Sequence, residues 1–296
     1  MSANMFVGGI IVPLVTPFNE FGDLEADWSC ALIERQLEIG VHGFYVGGST
    51  GEGFFQSVAE RCEYLRTVSQ IVDGRGLLIA QVGALSARDA HEITRFASEN
   101  RYDLISSTPP FYFQHTDMEV LNYYSDLAEF SDLPVLLYNI PKMTHWDVST
   151  EILLQLLKIP NVIGSKHTDM NFFRAERLLR DFPNAKIFNG PDEMLVGGLA
   201  MGMVGGIGST YNLMPLFYLE IFDAMMANDL HRARKLQSSV NDVINELLRI
   251  SPGVVPGIKL GLKKLGFNVG YPRKPFLPIE ADCSHFESLI VNLDGL

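Results

Sequence analysis

One pattern constrains this chain more than any other. A short apolar run rich in β-branched or aromatic residues, followed by a longer stretch of helical periodicity, recurs along it. The runs occupy residues 8–15, 43–48, 77–83, 102–107, 134–139, 162–167, 186–189 and 203–207. Most are continuously apolar rather than alternating, as suits parallel strands covered on both faces. The helical segments include 27–39, 58–72, 87–99, 118–130 and 172–181. Eight strand-then-helix units in one series predict an α/β fold closed as a (β/α)8 TIM barrel rather than a doubly wound open sheet. The unit before the eighth strand is short, with about two helical turns over 193–200. After the eighth unit, residues 230–248 place Leu236, Val240, Val243, Ile244, Leu247 and Leu248 on one helical face, and further helices are expected at 258–265 and 285–293. The expected organisation is a barrel over 1–228 and a C-terminal helical extension packed on it over 229–296, with no Pro/Gly/Ser-rich linker between them.

Hydrophobic residues make up 47% of the chain and charged residues 20%, which suits a packed core and excludes disorder. Lys plus Arg number 23 against 35 Asp plus Glu, a net charge of −12. No basic run is long enough to track a phosphate backbone, so nucleic acid is not an expected partner. Anionic substrates stay open, because their capture depends on the local field of a cleft. Cys30, Cys62 and Cys283 are odd in number and far apart, which argues against a disulfide framework and for a reducing cytoplasm. The N-terminal stretch has no basic segment, and Pro13 and Pro17 break its apolar run, against a signal peptide. Residues 194–219 carry no charge, yet their six glycines and Pro215 favour a buried strand and a new helix over a membrane span.

In such a barrel the active site lies at the C-terminal ends of the strands. Four polar strand ends stand out: GGSTGE at 47–52, LLYNIP at 136–141, GSKHTD at 164–169 and FNGPDE at 188–193. Lys166 ends an apolar run, where an unpaired ammonium is costly to bury. Alternation puts Lys166 and Thr168 on one strand face, with Ser165 and His167 on the other. Two readings of Lys166 stand side by side: a strand-end lysine paired with a carboxylate, or an amine that loses its proton in a dry barrel mouth and attacks a carbonyl. Tyr138 is either a core tyrosine or a hydroxyl that relays protons. Together they make a carbinolamine mechanism chemically complete.

GGSTGE offers glycines, two hydroxyls and successive backbone N–H groups suited to a small carboxylate. It lacks the Lys-Ser/Thr pair of a P-loop. GGIGST at 205–210 is either a phosphate cradle or a close backbone approach in which Ser209 bonds a substrate hydroxyl. Asp192 and Glu193 either cap the short following helix or bond sugar hydroxyls. With no His or Cys beside them, a metal site is not indicated. His145, Trp146 and His167 are expected in outward or loop positions.

Taken together, YVGGSTGE, YNIP, GSKHTD, NGPDE and GGIGSTYN resemble the pyruvate-dependent class I aldolases of the dihydrodipicolinate synthase and N-acetylneuraminate lyase superfamily, the lyase branch most of all. The resemblance extends to RKPF at 273–276. It implies Lys166 as the Schiff-base residue, Tyr138 as proton relay, and Ser49 with Thr50 holding the substrate carboxylate. It also implies Thr168, Gly190, Asp192, Glu193 and Ser209 as contacts to an amino-sugar tail. Tyr112, in PPFYF, matches a family tyrosine that supports the catalytic one and often reaches across a subunit interface; a homotetramer is implied. The implied reaction is retro-aldol cleavage of N-acetylneuraminate to N-acetylmannosamine and pyruvate, with no metal or organic cofactor.

After YNIP the synthases place an arginine for a second substrate carboxylate, whereas this chain has Met143, whose thioether cannot do that work. Phe113 replaces a tyrosine, and Val255 stands near where some lyases have an aromatic. These departures leave room for another pyruvate aldolase acting on a 2-keto-3-deoxy sugar acid. A catalytically silent sugar-acid binding barrel is the reading from a different class, and it would not need the Lys, the Tyr and the carboxylate loop together.

Overall fold

Each apolar run contains a strand in the computed structural model, which describes residues 7–294 apart from 252, 278, 280 and 281. Residues 1–6, part of the segment that argues against a signal peptide, lie outside the described residues, as do 295 and 296. The strands are β1 (Gly9–Pro13), β2 (Gly43–Val46), β3 (Leu77–Gln81), β4 (Leu104–Ser107), β5 (Val135–Asn139), β6 (Val162–His167), β7 (Lys186–Asn189) and β8 (Gly205–Ile207). They pair in parallel in chain order, and β8 returns to β1 to close the barrel.

The helices are α1 (Cys30–Ile39), α2 (Val58–Val72), α3 (Ala87–Glu99), α4 (Asp117–Phe130), α5 (Pro141–Thr144), α6 (Thr150–Leu156), α7 (Phe172–Asp181), α8 (Leu195–Ala200) and α9 (Pro215–Met226), then α10 (Leu230–Ile250), α11 (Val254–Lys264) and α12 (Ser284–Asp294). Sequence-coded caps start several of them. Ser57 with Glu60 on α2 and Thr116 with Glu119 on α4 form reciprocal capping boxes. The uncharged stretch 194–219 resolves into α8, β8 and the start of α9, and no described helix is long and apolar enough to cross a membrane.

Two helix starts differ from expectation by three residues or more. The segment 27–39 begins as a 3-10 turn, Ala26–Ser29, and becomes α-helical only at Cys30. The helix expected at 258–265 begins at Val254, because Pro256 falls in its first turn, where a missing N–H leaves no helical bond unmade.

Two apolar clusters divide the molecule. One, with Val12, Phe44, Leu137 and Ile187, fills the space between strands and helices; the other, with Ile11, Tyr45, Ile79, Leu136, Tyr138, Phe188 and Ile207, fills the barrel interior. Pairing between β5 and β6 slips once. Val135 stands opposite Val162, yet Leu136 stands opposite Gly164, so Ile163 is an extra residue on β6. Such a bulge re-aims the side chains beyond it. Ile163 packs against the interior cluster, and Lys166, three residues on, also reaches interior tyrosines, a spacing that strict alternation forbids.

Candidate active site

The bulge brings Lys166 and Tyr138 together. They are register partners, 5% and 3% exposed, and the Lys166 ammonium nitrogen lies 3.3 Å from the Tyr138 hydroxyl. That nitrogen also lies 4.3 Å from the centre of the Tyr138 ring and 4.7 Å from that of Tyr45. Among the described residues no carboxylate pairs with Lys166, so the reading of a strand-end ion pair does not hold. Tyr45 had not been singled out by the sequence. It is fully buried, donates to Ser106 Oγ at 3.1 Å, and burial pushes its hydroxyl well above the ordinary tyrosine range.

The GGSTGE segment turns back over the end of β2. Gly47 takes a φ of +77°, and a Cβ on Gly53 would meet the Gly47 carbonyl oxygen at 2.0 Å, so the turn needs both glycines. Ser49 Oγ lies 3.5 Å from the Tyr138 hydroxyl, and Thr50 Oγ1 lies 2.7 Å from Ser209 Oγ at the end of β8. Hydroxyls of the β2, β5 and β8 ends therefore converge above Lys166.

Past Lys166, Thr168 N donates to Asn139 O at 2.8 Å and holds the β6 end against β5. Its Oγ1 is buried with no partner. Gly190 lets β7 approach, since a Cβ there would stand 2.0 Å from that oxygen. Asp192 does not cap the following helix. Its carboxylate turns toward β8 and accepts from Thr210 N and Thr210 Oγ1, each at 2.6 Å, while Thr210 Oγ1 lies 2.5 Å from the Tyr218 hydroxyl. Burial pushes the Asp192 carboxyl up to about 6, against the pull of the Thr210 hydrogen bonds. Glu193, its neighbour, is exposed, so the pair separates into one buried and one solvent-facing carboxylate.

Some expected residues stand apart. Tyr112 is 77% exposed and packs edge-to-face on Phe113, itself 72% exposed; the fold of one chain does not bring Tyr112 to Tyr138. Met143, on α5, borders an apolar cavity of about 290 Å³ with Phe54, Phe111, Ile140 and Phe276, which opens beside Ser49. His167 faces away from Lys166. Its Nε2 meets Asn171 O and its Nδ1 meets the Asn139 amide, each at 3.2 Å, and burial lowers its pKa. His145 and Trp146 lie in the loop after α5, where Trp146 donates to Asp117. Among the described residues no three His, Cys, Asp or Glu side chains converge as metal ligands would.

Sequence reasoning missed a buried ion pair, Glu52 with Lys259 at 2.6 Å, and the Thr210–Tyr218 support of Asp192. Glu52 belongs to the motif GGSTGE. Nothing in the local sequence links it to a lysine more than two hundred residues away.

Residues 6–291 match the dihydrodipicolinate synthetase family. The N-acetylneuraminate lyase of Rhizobium meliloti is 40% identical over 276 residues, which cover 93% of this chain and 91% of that one. The N-acetylneuraminate lyase 2 of Escherichia coli is 38% identical, with 92% and 89% covered. A Clostridium difficile protein named CdNal, crystallised with mannosamine, superposes with a TM-score of 0.92 at 30% identity, 98% of each chain being covered. The chain belongs to the dihydrodipicolinate synthetase family.

Proposed function

We propose that this protein is an N-acetylneuraminate lyase, a class I aldolase that cleaves N-acetylneuraminate to N-acetylmannosamine and pyruvate through a Schiff base on Lys166. The carrying observation is a buried lysine with no carboxylate ion-pair partner among the described residues, set 3.3 Å from a tyrosine hydroxyl at the mouth of a barrel. The relatives named N-acetylneuraminate lyase support the substrate.

In this reading the Lys166 amine attacks C2 of the open-chain sugar acid, and Tyr138 moves protons as the carbinolamine loses water. The protonated imine takes up the electron pair of the C3–C4 bond as it breaks. The C4 hydroxyl gives its proton to Tyr138, by way of the substrate carboxylate, C4 becomes the aldehyde carbon, and N-acetylmannosamine departs. The enamine is protonated at C3, and water releases pyruvate and restores the amine. Each of these steps is acid–base chemistry that lysine and tyrosine supply, with no metal or organic cofactor.

Ser49 and Thr50 hold the carboxylate, and Thr168, Gly190, Asp192, Glu193 and Ser209 receive the sugar tail, so the substrate spans from the β2 end to the β6–β8 ends. The apolar surroundings of Met143 offer no partner for a second carboxylate, which favours the lyase over the synthase. The exposed Tyr112 and Phe113 suit a subunit interface, and we assign the protein as a homotetramer in which Tyr112 serves a neighbour's site. Three free cysteines suit a reducing cytoplasm. The test is a panel of three reactions: pyruvate release from N-acetylneuraminate, pyruvate release from a 2-keto-3-deoxy sugar acid, and dihydrodipicolinate formation, with uptake of pyruvate, from pyruvate and aspartate semialdehyde. Preferential turnover of N-acetylneuraminate is expected; preference for the second substrate makes the protein a sugar-acid aldolase instead.

A further inference from the structure

The turn that carries Ser49 and Thr50 is tied to the C-terminal helices by buried charge. Glu52 closes this turn in the left-handed conformation, with φ 56°. Its carboxylate meets the Lys259 ammonium of α11 at 2.6 Å, the two side chains being 0% and 1% exposed. Its other oxygen accepts from Arg273 N at 2.7 Å, and Lys259 donates to Tyr271 O at 2.7 Å. Lys259 and the Arg273 guanidinium both lie over the Phe18 ring, at 4.7 and 4.1 Å. Burying two ions is costly, and apolar residues of the same size often pack at least as well. Stability alone therefore does not account for the pair.

We infer that Glu52 and Lys259 are positioning residues, which hold the Ser49–Thr50 turn in the shape and electrostatic field that a substrate carboxylate requires. This rests on the carboxylate role proposed above for that turn. The shape argument is direct: Glu52 N donates to Ser49 O at 3.1 Å and Gly53 N to Gly48 O at 3.1 Å, so a displaced Glu52 displaces the hydroxyl-bearing residues. The field argument concerns sign. With its ammonium partner in place, the Glu52 charge is balanced; without it, a buried carboxylate that has lost its contacting cation stands beneath a turn meant to bind another.

The charged groups facing Lys259 are Glu52, Lys263 and Arg273, and those facing Glu52 are Lys259 and Arg273. Burial lowers Lys259 to about 8, against the pull of Glu52, and Lys263 and Arg273 add to the lowering. The pair thus loses its cation as pH rises through that value, within the range where an aldolase can be assayed.

The test is steady-state condensation of pyruvate with N-acetylmannosamine by the full-length protein, with folding followed by circular dichroism. Lys259→Met at about pH 7, where the wild-type pair keeps its cation, is expected to raise KM for pyruvate roughly tenfold with kcat within about threefold. Glu52→Gln/Lys259→Met, which removes both charges of the pair, is expected to bring KM back to within about threefold of the wild type. The wild-type KM should climb between about pH 7 and pH 9, and that of the neutral double variant should stay flat. A folded Lys259→Met with the wild-type KM overturns the inference. Should that variant not fold, the two pH profiles decide, and parallel profiles overturn it. Ser49→Ala separates the two levels of the account. If it raises KM for pyruvate while Lys259→Met does not, only the positioning role falls; if it leaves KM unchanged, the carboxylate role of the turn falls as well.

Discussion

Tyr138 and Lys166 face each other across neighbouring strands because β6 carries one residue more than β5 between Val162 and Gly164, which brings both side chains to the barrel interior. The 3.3 Å contact between hydroxyl and amine leaves no room for another proton carrier between them. Tyr138→Phe should therefore lower kcat by about 10²–10⁴-fold, the usual contribution of a general acid–base group, with little change in KM. Steady-state kinetics on N-acetylneuraminate check this. A change confined to KM would reduce Tyr138 to a substrate contact.

At Gly190 the segment just after β7 approaches the segment just after β6 through a missing side chain. A Cβ would stand 2.0 Å from Thr168 Oγ1 and 2.7 Å from Thr168 Cα, so Gly190→Ala must shift backbone. Such overpacking costs roughly 1–3 kcal/mol of stability. Because Thr168 is assigned to the sugar tail, KM for N-acetylneuraminate should rise more than KM for pyruvate in the reverse direction. Equal effects would take Thr168 out of the tail site.

Met143, on the helix after β5, and Asp192, after β7, have different surroundings and should act on different substrates. Met143→Arg places a guanidinium in the apolar cavity, where it can pair with a second carboxylate. It should weaken lyase activity and introduce some condensation of pyruvate with aspartate semialdehyde. Asp192→Ala should cost about 1.5–3 kcal/mol in kcat/KM for N-acetylneuraminate, the range for a hydrogen bond to a charged group, and less for a short 2-keto acid. Both variants assayed on both substrates supply the check, and an unchanged profile in each would misplace both side chains.

Asp192 also carries a pH signature. Burial raises its folded pKa from 3.8 to about 6, so the folded protein holds this proton more tightly than the unfolded chain does. The stabilisation is complete below 3.8 and is lost as pH rises through about 6. Its size is roughly 3 kcal/mol. Relative to Asp192→Asn, the wild type should gain about that much between pH 7 and pH 4, measured by urea unfolding. An equal pH dependence in both proteins would assign the proton elsewhere.

The barrel was legible because its signal is local: most strands lie in continuously apolar runs, and α2 and α4 begin at the capping boxes Ser57–Glu60 and Thr116–Glu119. Lys166 and Tyr138 were legible for the same reason, as polar residues closing apolar runs. What alternation could not supply was their register. Strict period-two counting from Ile163 turns Lys166 outward, and only the bulge restores it. The capping reading of Asp192 does not hold because Thr210, eighteen residues on, takes up its carboxylate, a meeting no local pattern announces. The Glu52–Lys259 pair was invisible for a plainer reason: neither residue has a local pattern, and their meeting depends on the whole C-terminal segment returning to the barrel mouth. Tyr112 stays apart from Tyr138 within one chain, and the proposed tetramer is what would bring it to a neighbour's site.

The central claim is that Lys166 forms a Schiff base with pyruvate. Borohydride reduction in the presence of pyruvate would convert that imine to a stable secondary amine, and peptide mass spectrometry would locate it. The account predicts one modified lysine, Lys166, with loss of activity in proportion to labelling and no labelling of a folded Lys166→Ala variant. Modification at another lysine, or none in active protein, would contradict it.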